Sequence, residues 1–139
     1  MHVDRMNRRQ FLIFSVAAVV TGCKGIGEKD TSATIAHGER VVNAGSVSNY
    51  TADGLYDAFR DQGFFIVRNG EKLCALSSFC THRRCKLAAE ADRSFYCPCH
   101  GSTFDPNGKV KEGPARRDLP ALPVVTDEKG QLLVTVPNT

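Results

Sequence analysis

Two short segments constrain this chain more than anything else in it. Cys80-Thr81-His82 and Cys97-Pro98-Cys99-His100 lie fourteen residues apart, and each supplies one thiol and one imidazole. A centre built from one cysteine and one histidine of each segment needs two loops closed over a single point. Thiolate is a soft anionic ligand and imidazole a neutral nitrogen ligand, a combination used by zinc and by iron–sulfur centres alike. Ligand type alone leaves both metals open, so the residues around the two pairs have to decide.

Five of the six cysteines, Cys74, Cys80, Cys85, Cys97 and Cys99, fall within 26 positions. Cys80-Thr81-His82-Arg83-Arg84-Cys85 together with Cys97-Pro98-Cys99-His100-Gly101-Ser102 resembles both cluster-binding boxes of the Rieske iron–sulfur subunits of cytochrome bc1 and b6f complexes. Gly108 and Gly113-Pro114-Ala115 follow where that family has a Gly-Pro loop covering its cluster. The close resemblance runs from Phe79 to Ala115, with looser β patterning from Val41 to the end.

The resemblance implies one [2Fe–2S] Rieske cluster with Cys80 and Cys97 on one iron and His82 and His100 on the other. Imidazoles in place of two thiolates raise the potential well above that of an all-cysteine ferredoxin. It also implies a disulfide between Cys85 and Cys99, a bond that an exported protein keeps and a cytosolic one generally does not. Ser102 matches a serine that donates to a bridging sulfide, and Pro114 lies in the covering loop. Phe104 stands where high-potential members carry a tyrosine bonded to a ligand cysteine, so it keeps the ring and lacks the donor. The expected potential lies below the serine-plus-tyrosine members and above the oxygenase-type ferredoxins. Cys74 has no place in this scheme and reads as a small hydrophobe buried in a strand.

The sharpest departure from the family follows the first histidine. High-potential members have Leu-Gly there, and this chain has Arg83-Arg84. Between Ser77 and Arg117 eight basic residues face four acidic ones, a net charge of +4 in a chain of net charge +3. Such a lobe is either solvated surface or a basic docking face that steers an acidic partner, and the arginines are its candidates. The total charge is too small to point to nucleic acid.

The segments past residue 40 are short, apolar and separated by turn residues, the pattern of an all-β domain. The expected fold is a Rieske domain: an antiparallel β base from about Val41 to Leu76 and Lys109 to Val136, with a small two-loop cluster-binding lobe, residues 77–117. Phe64–Arg68 and Glu71–Leu76 flank Asn69-Gly70, which suggests a two-residue hairpin turn with positive φ at both positions. Asp105–Gly108 marks a second turn, and Val124–Thr126 and Leu132–Val136 form a last hairpin across Asp127–Gly130. Asp53 to Asp61 is the one helical candidate, with Asp53 as N-cap and Leu55, Ala58 and Phe59 on one face.

The N-terminus reads as an address. Arg8-Arg9 precedes Phe11-Leu12 and an apolar run to Val20, about ten residues where a membrane-spanning helix needs roughly 20. The pattern resembles a bacterial twin-arginine (Tat) export signal, and Val20-Thr21-Gly22-Cys23 resembles a lipobox with Cys23 as the lipidated residue. The expected organisation is a signal at 1–23, a polar tether at 24–40 and the folded domain at 41–139. Together these imply an exported electron-transfer protein in the bacterial cell envelope, attached to the membrane by lipid or by an N-terminal anchor and facing the periplasm or outside. Its expected partners are redox proteins: a cytochrome b and quinol in a bc-type complex, or a molybdopterin subunit in an oxidase resembling arsenite oxidase. A non-catalytic redox or binding module is a third reading. No substrate pocket or nucleophile is visible, so the chain is not expected to be a catalyst alone.

Overall fold

The structure, a computed structural model, describes residues 38–138. It is all-β and built of three antiparallel sheets. In the first, β11 (Gln131–Pro137) lies between β1 (Glu39–Ser46) and β10 (Val124–Thr126). The second has the order β2 (Gly54–Tyr56), β3 (Phe64–Asn69), β4 (Lys72–Ser77), β9 (Ala121–Leu122). The third runs β5 (Ala88–Ala89), β6 (Phe95–Tyr96), β7 (Thr103–Phe104), β8 (Val110–Glu112).

Strand β3 explains how the sheets stack. Side chains alternate across a strand, and here both faces are covered, so Phe64-Phe65-Ile66-Val67 is buried throughout. Phe64 and Ile66 join Val42, Leu132, Val134 and Val136 in a core against the first sheet. Phe65 and Val67 join Leu76, Leu87, Phe95 and Phe104 in a second core against the third sheet, and that core also contains Cys80 and Cys97. The third sheet forms the lobe, and β8 belongs to it by pairing with β7. The expected base strand beginning at Lys109 is thus corrected: the base resumes at Ala121, where β9 pairs with β4.

The helix expected over Asp53 to Asp61 does not form. Asp53 Oδ1 instead accepts from the Gly70 backbone N–H at 2.7 Å, and Gly54–Tyr56 pairs with Ile66–Arg68. Phe59 stacks on Phe64 with ring centroids 5.1 Å apart, and only a single 3-10 turn follows at Arg60–Gln62. Pairing with β3 and packing on Phe64 outweigh a helix propensity worth a few tenths of a kcal/mol per residue. The β3–β4 hairpin forms, but its turn is shifted by one residue. Asn69 pairs with Lys72, so the loop is Gly70-Glu71, and of its two residues only Gly70 has positive φ, at 61°. That is the pattern of a II′ turn with glycine first. The last hairpin pairs Val124–Thr126 with Leu132–Val134, as the sequence suggests.

Strand β4 leads directly into the first ligand segment, and the junction is heavily bonded. Buried Ser78 donates Oγ to Arg60 O at 2.8 Å and its N–H to Gly63 O at 2.9 Å, and its carbonyl accepts from Leu87 N at 2.9 Å. Arg60 Nε returns to Leu87 O at 2.5 Å, and Lys86 Nζ reaches Asp61 at 2.7 Å. That ion pair holds the Asp61 carboxyl below its ordinary range, although both groups are exposed and the pair contributes little to stability.

Gly108 shows how tightly the covering segment is seated. Its φ is +80°, and a Cβ would lie 3.1 Å from Leu76 Cδ1 and 3.2 Å from Leu119 Cβ. Gly70 also has positive φ, yet nothing lies within 4 Å of its Cβ position. Alanine at either site should cost about 1–2 kcal/mol for the left-handed backbone. Gly108→Ala should cost roughly 1–3 kcal/mol more for the overpacking. Equal shifts of the two urea midpoints would contradict the close approach of Leu76 and Leu119.

Candidate metal centre

The two ligand segments fold into loops of the same design. In the first, Cys80 N–H donates to Cys85 O and Arg84 N–H donates back to Cys80 O, each at 2.8 Å. In the second, Cys97 N–H donates to Ser102 O at 2.8 Å and Gly101 N–H donates to Cys97 O at 2.9 Å. The fifth residue of each loop is left-handed: Arg84 with φ 58° and Gly101 with φ 78°. Gly101 takes that conformation without strain. Arg84 occupies it at a cost of about 1–2 kcal/mol, at the position where the resembling family has the glycine of Leu-Gly. Its guanidinium lies over the Phe79 ring, 5.2 Å from the centroid, a contact that offsets part of the cost.

The disulfide expected from the resemblance is present. Cys85 and Cys99 are bonded with Cα atoms 6.4 Å apart, which ties the end of one loop to the middle of the other. Cys80 and Cys97 are free, buried and part of the same core. The His82 and His100 rings meet edge to face with centroids 4.7 Å apart, His82 half-buried and His100 exposed. All four expected ligands are thus brought together, the thiols inside and the imidazoles at the surface.

Two features of this arrangement suit a bound metal centre. His82 Nδ1 is buried without any hydrogen-bond partner. Such an atom costs about 1–3 kcal/mol unless something occupies its lone pair. Desolvation, with smaller effects from His100 and Arg83, also holds His82 below its ordinary pKa. The neutral imidazole that results is the form that can ligate. Burial pushes the Cys80 thiol up, and a coordinated cation overrides this by deprotonating a ligand thiol outright. The sulfurs of Cys85, Cys97 and Cys99 also lie within 4.8 Å of one another. They are not a ligand set, because two of them are joined in the disulfide and offer no thiolate.

Ser102 is fully buried, and its Oγ accepts from Ala115 N–H at 3.0 Å. Its hydroxyl also acts to lower the Cys80 thiol pKa, against the larger upward push of burial. Phe104 is fully buried in the same core as Cys80 and Cys97, and Pro114 is exposed beside His82. Cys74 differs from expectation. It is half-buried on β4, its sulfur lies 3.7 Å from Val67 O, and it is not free. No sequence pattern singles out Thr81, whose Oγ1 donates to Arg117 O at 2.6 Å and ties the segment after Pro114 to the first loop. Arg116 and Arg117 line a hollow with His82. In the sequence they stand out only as part of a charge total, and their adjacency to the Gly-Pro loop is the one signal that could have marked them.

Comparison with known proteins agrees with this geometry. Residues 39–123, more than half of the chain, match the Rieske [2Fe–2S] domain. The chain belongs to the Rieske family. It is 32% identical over 154 residues to the cytochrome b6-f complex iron–sulfur subunit of Prochlorococcus marinus (strain MIT 9312), covering 95% of this chain and 86% of that protein. A putative respiratory nitrate reductase Rieske subunit of Haloferax mediterranei is 41% identical over 63 residues, 44% of this chain and 29% of that protein. The crystal structure of the plasma membrane Rieske protein PetC3 from Synechocystis PCC 6803 superposes with a TM-score of 0.52 at 33% identity, covering 67% of this chain and 97% of that one. The protein is a Rieske electron-transfer protein with a single [2Fe–2S] cluster.

Two substitutions test the tuning of the centre. A donor to a ligand sulfur favours the reduced, more negative state. With a difference between oxidation states of about 1 kcal/mol, Phe104→Tyr should raise the midpoint by roughly 40 mV. Ser102→Ala should lower it by a similar amount and cost about 1–3 kcal/mol of stability by orphaning Ala115 N–H. A midpoint unmoved in both variants, with the cluster intact, would place neither side chain against the ligands.

Proposed function

We propose that Cys80 and Cys97 hold one iron through sulfur and His82 and His100 hold the other through nitrogen, and that the protein is an exported one-electron carrier. The observation that carries the ligand assignment is the buried, unpartnered His82 Nδ1 beside a second histidine ring and above two buried free thiols. The bound cluster supplies a one-electron couple in which the imidazole-bound iron is the more easily reduced. The chain's own residues set the direction of transfer. Phe65, Leu87, Phe95 and Phe104 exclude water from the cysteine side, and the histidine side is left open to a partner.

The reading extends to location and setting. The twin arginine Arg8-Arg9, the short apolar run to Val20 and Cys23, all outside the described residues, support Tat export and lipid attachment to the membrane. Among the described residues no helix is long and apolar enough to cross a membrane. Likeness to cytochrome b6-f iron–sulfur subunits over most of the chain supports a place in, or beside, a quinol-oxidising complex. A second reading, the small Rieske subunit of a larger oxidoreductase, draws on the 41% identity to the nitrate reductase subunit. It is the same kind of arrangement as the molybdenum oxidase that the sequence also suggests.

Full-length protein purified from the cell envelope should contain two irons and two acid-labile sulfides per chain, consistent with one cluster. Alanine at Cys80, His82, Cys97 or His100 should each abolish the visible absorption, whereas Lys72→Ala should not. Stoichiometric zinc in the freshly exported protein would overturn the iron–sulfur cluster, because zinc takes the same two thiols and two imidazoles. Arg8→Lys with Arg9→Lys should leave the precursor in the cytoplasm, and unchanged export would remove the Tat reading.

A further inference from the structure

The ion pairs of the lobe sort its positive charges into used and unused. Lys86 is paired with Asp61 at 2.7 Å and Lys109 with Asp118 at 3.8 Å. Arg84 is held against Phe79; it lines one hollow with Gly63, Pro120 and Leu122 and another with His82, Arg117 and Asp118. Among the described residues no carboxylate lies within 4.0 Å of Arg83, Arg116 or Arg117. All three are exposed. Arg116 and Arg117 line a hollow of about 380 Å³ with Thr81, His82 and Pro114. Arg83 follows His82 directly in the chain. The Thr81 hydroxyl fixes the backbone at Arg117 beside the same loop.

We propose that Arg83, Arg116 and Arg117 form a basic collar around His82 that docks a carboxylate-rich face of a one-electron carrier protein. The inference rests on the assignment of His82 as a ligand, and it names the partner's chemistry and the surface that meets it. Two unpaired guanidiniums lining a shallow hollow, with a third exposed one next to His82 in the chain, suit bidentate pairing with surface carboxylates. Their field would also raise the encounter rate with an acidic partner. The collar lies on the exposed histidine side of the site, where a partner can approach. A lipid surface fits less well. Pro114 is the only apolar residue lining the hollow, and a headgroup layer over His82 would insulate the centre from any acceptor.

The test uses the full-length holoprotein and two one-electron oxidants of opposite charge, hexacyanoferrate(III) as the anion and tris(phenanthroline)cobalt(III) as the cation. Oxidation of the reduced protein by the anion should be fast and should slow as salt rises, because exposed charges are screened beyond about 10 Å at 0.1 M. Arg83→Glu with Arg116→Glu and Arg117→Glu should lower the anion's rate roughly tenfold or more at low salt and raise the cation's. The corresponding glutamine triple variant should show the same trend to a smaller degree, and it carries the test if the glutamate variant loses its cluster. Lys72→Glu with Lys129→Glu, one at the start of β4 and one in the turn before β11, should change neither rate. Rates indifferent to the collar substitutions, with the cluster spectrum intact, would overturn the collar and leave the ligand assignment standing. Loss of the spectrum only in His82 and His100 variants that still fold and export bears on the ligand assignment instead. Sedimentation with phosphatidylglycerol and phosphatidylcholine vesicles separates the lipid alternative. A glutamine variant that releases anionic vesicles but keeps both oxidant rates would also overturn the proposal.

Discussion

Closure of one loop upon the other is the constraint from which the rest of the centre follows. Each loop is a rigid unit, pinned by a pair of backbone hydrogen bonds and a left-handed fifth residue. Two rigid loops still have to be held face to face, and nothing in the lobe's two- and three-residue strands is long enough to do that alone. The Cys85–Cys99 bond supplies the restraint across a separation of 14 residues. Closing a loop of about that length removes roughly 3 kcal/mol of chain entropy from the unfolded state in the simplest model. Such a bond persists in an oxidising compartment, so the cross-link and the proposed export reinforce each other.

Burial is graded across the centre, and the gradient fits electron transfer. The cysteine side is sealed into the second core with aromatic and aliphatic side chains, where thiolates are shielded from water and from oxidation. The histidine side is open, with His100 exposed and the Nδ1 of His82 buried. A centre sealed on both sides would exchange electrons slowly, and one open on both sides would leave its thiolates exposed. Strand β3 makes the gradient possible by walling both cores, so the lobe is packed directly on the base.

What the sequence revealed and what it concealed divide along a physical line. The Cys85–Cys99 bond was legible, and the two Cys–His pairs and Ser102 stood out, because each sits in a contiguous motif whose chemistry is local. The strand at Gly54–Tyr56 was hidden because Asp53 is as good a helix cap as a hairpin anchor, and only pairing with β3 decides between them. The hairpin turn moved by one residue for a similar reason: Asn69 pairs with Lys72 across the sheet, which outweighs the local preference of Asn-Gly. Arg83 and Arg84 looked alike as a charge pair. The guanidinium of Arg84 lies over Phe79, and Arg116 and Arg117, more than thirty positions later, also come to lie beside His82. That juxtaposition depends on the Thr81–Arg117 hydrogen bond, which no local pattern encodes.

Mixed ligation by two thiolates and two imidazoles is the central claim, and nitrogen hyperfine spectroscopy tests it most directly. The reduced holoprotein, grown with nitrogen-15 histidine, should show two strongly coupled histidine nitrogens in electron–nuclear double resonance. His82→Ala and His100→Ala should show neither the couplings nor the cluster, and His2→Ala and His37→Ala should leave both couplings in place. A reduced cluster with no histidine coupling would mean that the imidazoles are bystanders, and mixed ligation of the centre would be contradicted.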